Sequence, residues 1–103
     1  MEESLVKMKF EDLIDSLKEE QPLPTLSVEL QSLWWARKGN WEKAHQLAQD
    51  ANSREGDWIH AYLHREEGDL GNAAYWYAQA NQKTSDQDLV VEWEDIVKTL
   101  LRE

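Results

Sequence analysis

Two segments of this chain, GNWEKAHQLAQDA (39–51) and GDLGNAAYWYAQA (68–80), repeat at a shift of 29 residues. Each opens on glycine, continues with Asn or Asp and then a large apolar residue, and places alanine five positions after the glycine and again seven later. Every element has a local reason. Glycine takes the left-handed conformation that ends a helix, Asn or Asp caps the next one, and alanine lets two helix backbones approach closely. A repeat of this period is one helical hairpin that cannot bury its apolar face alone and must stack on a neighbour. The chain is thereby constrained to an all-α fold.

The rest of the sequence fits around these two units. Residues 3–20 place Val6, Phe10, Leu13, Ile14 and Leu17 at helical intervals, and the segment stops at Pro22 and Pro24. Thr25 or Ser27 can cap a helix from Val28 to Lys38, with Gly39 as its terminator. Asn40 caps the next, to Ala51. The stretch 52–57 is read as a loop with Asp57 as cap, so the second hairpin spans 58–80. Ser85 and Asp88 have the spacing of a capping box for a final helix over 86–102, with Leu89, Trp93, Ile96, Val97 and Leu100 on one face. No segment alternates with period two, so no strand is expected. The expected architecture is a single all-α domain over 1–103: hairpin 28–51, hairpin 58–80, and flanking helices 3–20 and 86–102.

Composition narrows the function classes. The net charge is −10, with 21 acids against 11 bases. Residues 1–20 and 86–103 each carry a net −4, and no basic stripe exists. Nucleic-acid binding, which needs cations to displace phosphate counterions, is not expected, and neither is an anionic membrane surface. The chain lacks cysteine, which removes disulfides and thiolate metal sites. Without an apolar leader or a run long enough to span a bilayer, a cytoplasmic location is expected.

The glycine-turn and paired-alanine pattern resembles the tetratricopeptide repeat. On that template Ser32 and Ala61 take the small first-helix position, Trp35 and His64 the ring position that follows, Trp41 and Leu70 follow the turn, and Ala44/Ala51 and Ala73/Ala80 are the paired alanines. The segment AAYWYAQA also resembles Sel-like repeats. The likeness covers about 28–80, with a period of 29 instead of the family's longer one, without the proline that follows each hairpin, and with Val28 and Asp57 where the family places a large aromatic residue. The chain further resembles a small bacterial family with a W-x-HAYLHR-x-EGD core and a C-terminal EW-x-x-I segment (here Glu92, Trp93 and Ile96), which implies no activity.

The repeat resemblance implies a protein-interaction module. Its concave groove would be lined by Leu33, Arg37, Trp58, Tyr62 and Arg65, and the partner would be a protein or peptide, or a second copy in a homodimer. A rival reading uses the other face of the same helix. Asp57, His60, His64 and Glu67 follow at intervals of 3, 4 and 3, so they share one side. His60, His64 and Glu67, with Tyr75 and Trp76 as walls, would then hold a small molecule or a metal. Two histidines four apart can chelate, but the pentad reads HAYLH and lacks the general-base glutamate of zinc-protease helices. His45, Glu29 or Glu42 would have to supply a third ligand, and no spacing argues for any of them. The sequence reading therefore assigns the two histidines to packing against the hairpin's own second helix, with no metal, no cofactor and no catalytic residue.

Overall fold

The computed structural model describes residues 8–102. They form six helices: α1 Phe10–Ser16, α2 Val28–Arg37, α3 Trp41–Ala51, α4 Arg54–Glu66, α5 Leu70–Gln79 and α6 Leu89–Leu101. There is no strand among the described residues. The α2–α3 and α4–α5 pairs are the two antiparallel hairpins, and α3 packs on α4 to join them. Gly39 and Gly68 stand at φ +88° and +89°, the left-handed turn at which each hairpin reverses. Asn40 and Asp69 accept hydrogen bonds from the backbone N–H groups of Lys43 and Asn72, which caps α3 and α5 alike.

Contact between the hairpins has an antiparallel register set by small residues. Ala48 of α3 meets Gly56 of α4 so closely that a Cβ on Gly56 would lie 2.8 Å from the Ala48 carbonyl oxygen. Farther along, His45 meets His60, and the Trp41 indole N–H donates to the Leu63 carbonyl at 2.8 Å. Within hairpin 1, the buried Ser32 hydroxyl donates to the Ala44 carbonyl at 2.6 Å. Ser32 and Ala61 are both fully buried, so each small first-helix position is a point of close approach.

The terminal helices close the core. Leu13 of α1, Leu33 and Trp34 of α2, Ile59 and Leu63 of α4, and Trp93, Ile96 and Val97 of α6 form one buried cluster. Trp93 is anchored by an N–H bond to the Leu33 carbonyl at 2.8 Å. Glu92, only 3% exposed, accepts from Arg65 at 2.7 Å and from the Tyr77 hydroxyl at 2.5 Å, tying α4, α5 and α6 together. Burial, reinforced by this bond to Glu92, pushes the Tyr77 phenol pKa above its usual range.

Several boundaries differ from the sequence reading. Helix α4 begins one turn early, at Arg54. Asn52 turns left-handed (φ 48°) to end α3, and the Ser53 hydroxyl caps α4 by accepting from Gly56. Asp57 is therefore inside the helix, where it adds an acid to the first turn. The expected 3–20 helix is short: after Ser16 the chain turns, and Lys38 Nζ donates to the Leu17 and Glu19 carbonyls at 2.7 and 2.9 Å. Val6, placed on that helix's stripe, lies outside the described residues. The Ser85–Asp88 capping box does not form. Asp88 is the N-cap of α6 without a side-chain bond, and Ser85 accepts from the Gln87 N–H instead. Both adjacent tryptophans pack on the core. Trp34 is the fully buried ring, with its N–H on Ser16, while Trp35 is half-buried beneath the Lys43 ammonium.

The Gly56 contact generates a test. Gly56→Ala should destabilise the protein in urea unfolding even though alanine is the better helix former by about 1 kcal/mol, because its Cβ meets backbone. Gly71→Ala, with open space around the new methyl, should be neutral or stabilising by about 0.5–1 kcal/mol. Equal effects at the two sites would contradict the close approach.

Candidate functional site

Helix α4 presents two faces, and the structure treats them differently. The first carries the residues expected to line a concave groove. Helix α6 lies across this face, packed on α2 and α4. Leu33 and Tyr62 are buried, at 0% and 5% exposure. Arg65 pairs with Glu92 and also donates to the Gln87 carbonyl. The Arg37 guanidinium sits 5.5 Å from the centre of the Trp93 ring, a cation–π contact on the face of the occupying helix. Arg37 stays exposed and Arg65 and Trp58 half-buried, with Trp58 at the rim of a shallow cleft it shares with Glu29, Arg54, Ala80 and Leu100. The apolar stripe of α6 fills the cradle, because two hairpins by themselves leave too much apolar surface uncovered.

The second face carries His60 and His64, and it turns toward both hairpins. The register of α3 on α4 brings His45 to meet them. His45 Nε2 lies 2.8 Å from His60 Nε2, and one ring nitrogen from each of His45, His60 and His64 falls within 4.8 Å of the others. The ring planes are held by stacking. Trp41 covers His45 with centroids 4.7 Å apart and planes 12° from parallel. Trp76 covers His60 at 4.0 Å and 13°. His64 Nδ1 contacts Glu67 Oε2 at 2.7 Å, which fixes that ring's orientation and leaves Nε2 as its other nitrogen. His60 and His64 are buried, whereas His45 is half-exposed and gives the cluster its open side.

The electrostatics follow from this crowding. Burial, then the neighbouring His45 and His64, lower the His60 pKa to about 4. Burial and His64 lower that of His45 as well, against the opposing pull of Glu67 and Glu42. Neutral imidazoles keep a free lone pair, and the short His45–His60 contact requires one ring to donate and the other to accept.

Of the residues expected at a ligand site, His60, His64, Glu67 and Trp76 are brought together. Tyr75 is not, since it is 56% exposed and meets Trp76 edge-on from outside. The expectation that the histidines face the hairpin's own second helix holds for His60 against Trp76, but the first hairpin contributes as much. The central role of His45 was open only as one possible third ligand. Its signal was its place in the repeat, one residue after the alanine that sets helix–helix approach. Glu92 was also legible in principle, as an acid standing on the apolar stripe between Leu89 and Ile96.

No protein-family model matches the chain, and no curated protein and no solved structure matches it. Among the described residues no helix is long and apolar enough to cross a membrane.

The lowered His60 pKa predicts a pH dependence. In the unfolded chain this ring titrates near 6.5, so below that pH the unfolded state takes up a proton that the folded state refuses. Its contribution to stability should be flat above about pH 6.5 and fall as pH drops toward about 4. Urea unfolding at several pH values should show wild type losing more stability than His60→Gln between about pH 7 and pH 5. Parallel profiles would contradict it.

Proposed function

We propose that this protein is a protein-interaction module of the tetratricopeptide-like type, and that it docks a partner helix on the outward face of α5 instead of in its concave groove. The observation that carries this reading is the chemistry of α5. Its sequence, LGNAAYWYAQ, has no charged side chain, in a chain where 31% of residues are charged. Leu70 is 65% exposed and Tyr75 56%, and Gly71, Ala74 and Ala78 are exposed beside them. Depletion of charge together with an exposed tyrosine is the composition of an interface core. In a helical array this is the surface on which the next hairpin stacks. Here α6 packs on α2 and α4 and leaves it bare.

Charge selects the partner. The face is bounded at its N-terminal end by the exposed acids Glu66, Glu67 and Asp69, and the whole chain is at −10. The occupant that fits is an amphipathic helix with an apolar seam and basic flanks. A second copy brings like charge to like charge.

A synthetic helix with a leucine seam and lysine flanks tests this by amide chemical-shift mapping. Shifts should concentrate on residues 70–78, weaken with added salt, and fall by about tenfold in affinity in Tyr75→Glu, whose exposed position keeps the fold intact. Shifts spread over the acidic ends 8–20 and 86–102, or a tight dimer by sedimentation that Tyr75→Glu dissolves, would overturn the assignment of the partner.

A further inference from the structure

We propose that His45, His60 and His64 form a binding site for one divalent transition-metal ion of the zinc, cobalt, nickel or copper class, with three imidazole nitrogens as ligands and the coordination completed from solvent on the His45 side. The chain contains three histidines, and all three converge on this point from two helices. A packing role needs one planar ring at each position, and a single hydrogen bond accounts for the 2.8 Å between His45 and His60. Neither gives a reason for the third imidazole, His64, to turn a ring nitrogen toward the same point.

The geometry is close to what a metal requires. Nitrogens bound to one zinc at about 2.0–2.1 Å lie roughly 3.3 Å apart in a tetrahedron. The three nitrogens lie within 4.8 Å of one another, with one pair already at 2.8 Å. An ion between them would replace the His45–His60 hydrogen bond and draw the His64 nitrogen closer. The surroundings act in the same direction. The His64–Glu67 contact is the carboxylate–imidazole arrangement that orients a metal-binding histidine and raises its basicity. The indoles of Trp41 and Trp76 hold two of the rings from opposite helices and keep bulk water from those sides. Imidazole donors without thiolates fit borderline divalent ions and disfavour calcium and magnesium, which take oxygen. Such an ion bridges α3 to α4, so binding links the two hairpins.

The test uses tag-free, chelator-stripped full-length protein with zinc and cobalt chlorides as probes. Zinc titration should give one equivalent and raise the melting temperature, and cobalt should give the visible absorption of a low-coordinate nitrogen site. Affinity should fall by about 10–100-fold in Glu67→Gln and further in His45→Asn, with the native fold of each variant checked by far-UV circular dichroism. Calcium and magnesium should compete with neither ion. Absence of one-to-one zinc or cobalt binding by the wild type would overturn the proposal without recourse to any variant. So would binding that His45→Asn leaves unchanged, since the ion would then sit on another group, such as His64, Glu67 and Asp69.

Discussion

The contact between Gly56 and the Ala48 carbonyl fixes everything that follows along α3 and α4. A Cβ at position 56 would lie 2.8 Å from the Ala48 carbonyl oxygen, so only glycine fits there without a shift of backbone. Once that end is set, the antiparallel register places His45 opposite His60 and the Trp41 indole opposite Leu63. The same step orients hairpin 2 on hairpin 1 and therefore shapes the surface that α6 covers. A side chain at position 56 would be felt at His60 and His64, one and two turns along α4, because a close-packed interface transmits displacement instead of absorbing it.

A second constraint is electrostatic. Glu92 is a carboxylate almost wholly removed from water, with Arg65 and Tyr77 as its partners. An arrangement of this kind adds little net stability over an apolar core, but removing one member leaves an uncompensated buried charge. Its effect is to specify position. An apolar stripe alone would allow α6 to slide along the cradle, whereas one ion pair and the Trp93–Leu33 bond permit a single register. The acid belongs to the last helix and its partners to the second hairpin, so the array is locked only when its C-terminal part is in place.

Much of this was legible in the sequence, for reasons that differ from one residue to the next. Gly39, Gly68, Asn40 and Asp69 each encode a local conformation, and all four stand where the repeat placed them. Local encoding misled at residues 52–57, because the serine cap and the sterically demanded Gly56 start α4 inside what reads as a loop. Trp34 and Trp35 are adjacent and both aromatic, so periodicity cannot decide which enters the core. That choice is made by α1, which supplies Ser16 to the Trp34 N–H. The HAYLH pair was visible at once, but the meeting with His45 depends on how two helices cross, and no spacing within one helix contains that information. The concave face shows the same limit. What covers Leu33 and Tyr62 is decided by a helix distant in sequence.

The position of α6 has a consequence for competition. A connector of polar residues, 81–88, ties the occupying helix to the hairpin whose face it fills. A tethered segment of this length presents itself at an effective concentration in the millimolar range, so a free peptide seeking the same cradle meets a rival that never diffuses away. Invasion by an outside segment of modest affinity is thereby suppressed.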